Sequence, residues 1–140
     1  MKIGIIGLGV VGSAIRTGFE ELGHDVFGHD IKNGTKIEDV LNSDVCYVCV
    51  PTPPNEDGRC DIRIVKEVTS NLSKLEYKGL LIIKSTVEPG STDKLSDEFD
   101  NLQIGFVPEF LRERCAISDF IVNHDVCIVG VRDKKQFKLV

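Results

Sequence analysis

The sequence predicts an α/β fold, doubly wound around a mainly parallel sheet. Three observations predict it: strand-like and helix-like stretches alternate along the chain, a glycine-rich turn joins the first strand to the first helix, and an acidic residue closes the second strand. The first two lie within Lys2–Arg16, KIGIIGLGVVGSAIR. Ile3, Ile5 and Ile6 form the strand, and Val11, Ile15, Gly18 and Leu22 then repeat at helical spacing. Between them Gly7, Gly9 and Gly12 fall in the G-x-G-x-x-G pattern. The first glycine permits the tight turn, the second lets a pyrophosphate approach the backbone, and the third lets helix and strand lie close. The phosphates then sit on free N–H groups at the positive end of the helix, which makes Gly7, Gly9, Val10, Val11 and Gly12 candidate cofactor-binding residues.

The third observation names the cofactor. Asp30 ends the strand Asp25–His29 and stands 18 residues after Gly12, close to the spacing of about 20 for the acidic group that holds an adenosine ribose. A carboxylate accepts hydrogen bonds from both ribose hydroxyls and repels a 2′-phosphate, so NAD is favoured over NADP. Lys32, two residues on, offsets part of that repulsion.

With 140 residues the chain has room for one domain, expected over residues 1–131, followed by a polar tail over 132–140. A net charge of −5 without any basic run argues against nucleic acid or an anionic membrane as partner. No stretch is long and apolar enough to span a bilayer, and the N-terminus enters a strand with no signal-peptide pattern. Five cysteines leave at least one unpaired, so a cytoplasmic location is expected. Cys46 and Cys49 form a C-x-x-C, but within a strand residues three apart point to opposite faces, and a shared metal or disulfide is not expected. No other cysteine or histidine has ligand-like spacing, and no metal site is expected.

Taken in order, Thr35-Lys36-Ile37-Glu38 fits a capping box ahead of a brief helix over Glu38–Leu41. Val45–Val50 reads as a buried strand halted by Pro51-Thr52-Pro53-Pro54, and Asp57-Gly58 marks a turn. Asp61 caps a helix whose apolar face uses Ile62, Val65, Val68, Leu72 and Leu75. Leu80–Lys84 is the next strand, Thr92–Phe99 a helix, Gln103–Phe106 a short strand, Pro108–Glu113 a loop leading to a helical turn, and Val126–Val131 a final strand. Groups that act on a ligand are expected at the carboxyl ends of the strands, near the point where strand order reverses. The glycine turn, Val50–Pro54, Ser85–Val87 and Pro108–Glu113 all fall there.

Together these stretches resemble the N-terminal, NAD-binding Rossmann domain of the UDP-glucose/GDP-mannose dehydrogenase family, whose members oxidise a nucleotide sugar twice to a uronic acid. The resemblance rests on Val50-Pro51-Thr52-Pro53, on Asp57-Gly58 with Asp61, on Lys84-Ser85-Thr86-Val87 with Pro89-Gly90-Ser91-Thr92, and on Pro108-Glu109-Phe110-Leu111-Arg112-Glu113, in that order and over nearly the whole chain. It implies that Asp30, Val50, Pro51, Thr52, Pro53, Ser85 and Thr86 line the NAD site together with the glycine turn, and that Glu113 approaches the nicotinamide end. It implies catalytic positions at Thr86 and Glu109, which arrange substrate and hydrolytic water, and a substrate-binding stretch in which Glu109 is joined by backbone contacts from Phe110, Leu111, Arg112 and Glu113 to the sugar nucleotide. Read without the resemblance, Glu109 and Glu113 are better taken as solvated carboxylates beside Arg112 and Arg114.

The sequence also departs from that pattern. Between Asp30 and Val50 only about 19 residues remain where the family carries a longer insert, so the sheet is expected to be short of one edge strand and helix. Val107 stands where the family commonly has Asn, and Arg114 where it has Gly. The family's nucleophilic cysteine, catalytic lysine and most of its sugar pocket belong to a second domain with no counterpart among these residues. The 140 residues alone are therefore expected to bind NAD and to turn over slowly or not at all. Three alternatives stay open: completion by another chain, a non-catalytic NAD-binding or regulatory module, and a short dehydrogenase of the hydroxyacid type. An uncovered sheet edge makes a homodimer a reasonable expectation.

Overall fold

The computed structural model describes all 140 residues. Five strands, β1 (Lys2–Ile6), β2 (Asp25–His29), β3 (Val45–Val48), β4 (Leu80–Ile83) and β5 (Gln103–Phe106), form one sheet in the order β2-β1-β3-β4-β5. Every pair is parallel, and the registers Ile6↔Val48, Val48↔Ile83 and Ile83↔Phe106 bring the carboxyl ends of β1, β3, β4 and β5 into one row. Strand order reverses between β1 and β3, which is where the topology opens a crevice.

The helices are α1 (Val10–Glu21), α2 (Arg63–Lys74), α3 (Ser91–Glu98), α4 (Ala116–Ile121) and α5 (Lys134–Phe137), with 3-10 turns at Ile31–Asn33, Ile37–Val40 and Glu113–Cys115. β3 and β4 are buried along their whole length, as expected for parallel strands covered on both faces. Alternate residues feed two cores. Cys46, Val48, Leu81, Ile83 and Ile104 pack with Val65 and Leu72 of α2 and Leu95 of α3. On the other face Ile3, Ile5, Val45, Tyr47, Leu80 and Ile82 pack with Ile15 of α1, flanked by Phe19 and by Phe120 of α4. Leu81 is fully buried at the centre of the first core. Leu81→Ala is expected to cost about 2–5 kcal/mol, read from the urea midpoint; a loss under about 1 kcal/mol would contradict this placement.

Several local expectations are corrected. The run Val126–Val131 does not become a strand: only Gly130 meets the sheet, through a two-way antiparallel exchange with Phe106 at 2.8 Å each way. Val126 and Ile128 stay exposed, while Val129 and Val131 lean on the second core, so the apolar alternation is real but lacks a ladder to join. Thr35 does not open a capping box. Its hydroxyl accepts the Asp30 N–H at 2.9 Å, and the following turn is closed by the Lys36 N–H donating to Asp39 at 3.0 Å. α4 is a helix beyond the expected turn. Residues 132–140 carry α5, whose first N–H groups are capped by Asp133, and Val140 packs against the second core. Between β2 and β3 the chain forms only the two 3-10 turns, so β2 is the edge of the sheet.

Candidate functional site: a dinucleotide crevice

Gly7 leaves β1 at φ +91, and its N–H donates to the His29 carbonyl at 2.8 Å, tying the turn to β2. A Cβ on Gly7 would lie 2.7 Å from the Cys49 carbonyl oxygen, and one on Gly12 would lie 1.9 Å from the Gly7 carbonyl oxygen. A Cβ on Gly9 would meet nothing within 4 Å. Two glycines are thus needed for close packing, and the middle one faces open space. Gly9 caps α1 without any side-chain acceptor, the first turn has no acidic residue, and Val10 is exposed. The first N–H groups of α1 are therefore free to receive an anion.

Asp30 sits at the end of β2, beside that turn. Its Oδ2 accepts the Leu8 N–H at 2.7 Å and its Oδ1 accepts the Lys32 N–H at 2.9 Å. These backbone donors, Lys32 first and then Leu8, hold its carboxyl below the ordinary value of 3.8, so it is ionised at neutral pH. Each oxygen keeps a lone pair for a further donor. The residues present thus fit a dinucleotide: free N–H groups and open space for the pyrophosphate, and an ionised carboxylate with spare acceptor capacity for the ribose.

Across the crevice the loops after β3 and β4 are stitched together. The Ser85 hydroxyl donates to the Val50 carbonyl at 2.7 Å, and the Thr52 hydroxyl donates to the Thr86 carbonyl at 2.7 Å. Val50 and Ser85 are buried, whereas Pro51, Pro53 and Thr86 are exposed. The expected lining residues are therefore adjacent, with the hydroxyls of Ser85 and Thr52 spent on holding the two loops at fixed spacing.

The fourth stretch is joined to them by an ion pair the sequence did not reveal. Lys84 Nζ lies 2.8 Å from Glu109 Oε2, with both side chains largely buried. Glu109 Oε1 accepts the Phe110 and Leu111 N–H groups at 2.8 and 2.9 Å, while Oε2 has no hydrogen-bond partner of good geometry apart from this close cation. Glu109 is thus a buried, paired carboxylate, not the solvated one suggested by its neighbours Arg112 and Arg114. Glu113, Arg112 and Phe110 are exposed. Beneath the loop lies an apolar cavity of about 510 Å³ on the α1 side of the sheet, with Tyr47, Val107, Phe120, Lys84 and Glu109 in its lining; it includes neither the glycine turn nor Asp30. Cys49, near Lys84 and Glu109, has its thiol pushed up to about 12, chiefly by burial. Cys46 packs in the opposite core, so the C-x-x-C is split across the sheet as its spacing predicts.

Asp119 is the second group the sequence did not reveal. Side-chain and backbone hydrogen bonds from Arg112 hold its carboxyl well below the usual range. The only signal for it is an Arg and an Asp seven residues apart, which a search for apolar periodicity passes over.

Fold and crevice together define a Rossmann-type dinucleotide-binding domain. Residues 32–140 match the profile of the UDP-glucose/GDP-mannose dehydrogenase family, NAD binding domain, and the chain belongs to that family. Its cofactor is NAD. A UDP-glucose 6-dehydrogenase of Haloferax volcanii is 27% identical, aligned over 99% of this chain and 43% of its own length. The UDP-glucose 6-dehydrogenase of Rickettsia prowazekii is 36% identical, over 71% of this chain and 24% of its own length. The structure of a UDP-glucose dehydrogenase from Pyrobaculum islandicum superposes with a TM-score of 0.88 at 26% identity, covering 99% of this chain and 42% of that one. The chain therefore spans less than half the length of these relatives, at the N-terminal part of them. No helix is long and apolar enough to cross a membrane.

Proposed function

We propose that these residues are the NAD-binding unit of a nucleotide-sugar 6-dehydrogenase. In this reading Gly7, Gly9, Val10, Val11 and Gly12 hold the pyrophosphate, and Asp30 holds the adenosine ribose. Val50, Pro51, Thr52, Pro53, Ser85 and Thr86 line the far side, with Glu113 toward the nicotinamide. Bound NAD supplies the hydride acceptor. Thr86 offers an exposed hydroxyl that orients a water, and the loop Glu109–Glu113 offers backbone groups to the sugar nucleotide.

The observation that carries the reading is the Lys84–Glu109 ion pair at 2.8 Å, which anchors the Pro108–Glu113 stretch to the loop that begins with Ser85 and Thr86. The pair supports the reading by joining motifs far apart in sequence at the carboxyl ends of β4 and β5. Glu109, with one oxygen on two backbone N–H groups and the other against Lys84, serves first to shape the loop. That engagement favours a second reading, an NAD-binding module whose turnover depends on groups outside these residues.

The test is binding of UDP-glucose and GDP-mannose to the NADH-loaded chain, followed by NADH fluorescence. A saturable change with a nucleotide sugar, absent with small hydroxyacids, is expected. A response to a hydroxyacid alone would replace the sugar reading, and a response to neither would leave the module reading.

A further inference from the structure

We propose that Asp119 is a positioning residue whose carboxylate clamps the loop Pro108–Glu113 against the nicotinamide half of the crevice. The inference rests on the NAD reading above. Asp119 lies on α4 and is 6% exposed, yet it hydrogen-bonds to no group of the sheet. All of its partners belong to the segment just before it. Its Oδ2 accepts the Arg112 N–H at 3.0 Å and the Arg112 Nε–H at 2.9 Å; its Oδ1 accepts from the Arg112 Nη2 at 2.7 Å; and the Cys115 thiol lies 3.5 Å from Oδ2.

One carboxylate therefore fixes Arg112 at both its main chain and its side-chain head. Such a bidentate, charge-assisted pair restrains orientation as well as distance. The buried partner is the aspartate, while the arginine side chain remains 69% exposed. The pair thus holds the backbone from the inside and leaves Glu113, the next residue, facing solvent.

The loop is anchored a second time, three residues earlier, where Glu109 meets Lys84 at the end of β4. α4 is in turn seated on α1, with the Phe120 ring against Gly18 and 5.8 Å, edge on, from the ring of Phe19. The clamp therefore links the loop, through α4, to the C-terminal half of α1. Asp30, by contrast, stands on β2, across the switch point from β4 and β5. A dinucleotide spanning the crevice places its adenosine half by β2 and its other half by β3, β4 and the loop. Loss of the clamp should weaken contacts to the nicotinamide half and spare the adenosine half.

The experiment compares NADH with ADP-ribose, which lacks the nicotinamide, on the wild-type chain and on Asp119→Asn and Arg112→Ala. Arg112→Ala opens the clamp from its solvent side and guards against a folding defect in the first variant. NADH is expected to bind about tenfold more weakly to Asp119→Asn, since the loop must then be ordered on binding, while ADP-ribose binds as to wild type. Arg112→Ala should show the same pattern with a smaller loss. Unchanged NADH affinity in both variants would overturn the proposal. Equal weakening of both ligands, with a lowered melting temperature, would overturn it too, by showing a general structural role. A wild-type chain that binds neither ligand would overturn the NAD reading itself, and the clamp with it.

Discussion

Gly12→Ala is expected to lose stability and NADH binding together, whereas Gly9→Ala should lose binding alone. The two glycines are three residues apart but meet opposite surroundings. A methyl on Gly12 would press to 1.9 Å from the Gly7 carbonyl oxygen and 3.3 Å from Ile5 Cγ2, so α1 must move off β1. Overpacking against backbone has no side chain to relieve it, and a loss of about 3 kcal/mol is expected. Gly9 has φ −72, a value that alanine adopts freely, and nothing within 4 Å of its missing Cβ. Its fold should survive with a shift under about 1 kcal/mol, but the methyl would fill the open space that the proposed site gives to the pyrophosphate. Urea unfolding and NADH titration on the same two variants separate the effects. Full NADH affinity in Gly9→Ala would remove the turn from the phosphate site.

Asp30→Ala is expected to weaken NADH by about ten- to a hundredfold, the loss of roughly 1.5–3 kcal/mol of charged hydrogen bonding to the ribose. Selectivity against NADPH should fall with it. The carboxylate that repels a 2′-phosphate would be gone, while Lys32, close enough to help lower the Asp30 carboxyl, would remain. The Leu8 and Lys32 N–H groups would lose their acceptor, so the turn loosens as well. Asp30→Asn restores one acceptor without the charge, so it should recover part of the NADH affinity and keep the relaxed selectivity. Because the Asp30 carboxyl is lowered in the folded chain, its stabilising effect is present above pH 3.8 and is lost as pH falls through the folded value. An Asp30→Ala chain with unchanged affinity and an unchanged NADH/NADPH ratio would place the ribose elsewhere.

The geometry of the glycine turn, and Asp30 beside it, was legible in the sequence because its physics is local. Glycine spacing, strand and helix periodicity and a carboxylate at the second strand end each follow from a few adjacent residues. The Lys84–Glu109 pair was not, since it joins residues 25 apart that only the parallel register of β4 and β5 brings together. Read without the resemblance, Glu109 passes for a solvated carboxylate; burial of Lys84, and of Asp119 beside Arg112, is decided by tertiary packing. The same limit explains Val126–Val131, where alternation promised a strand but the sheet offered one residue, Phe106, as partner. α4 has only six residues, too few for a periodic signal; Phe120 seats it on α1, and Asp119 ties it to the loop at Arg112.

A working NAD site at the glycine turn and Asp30 requires these residues to bind NADH and to discriminate against a 2′-phosphate. The measurement that tests it most directly is a fluorescence titration of the 140-residue chain with NADH and with NADPH, helped by the absence of tryptophan. Saturable NADH binding with NADPH excluded is the predicted result. Binding of neither, or NADPH bound as tightly as NADH, would contradict it.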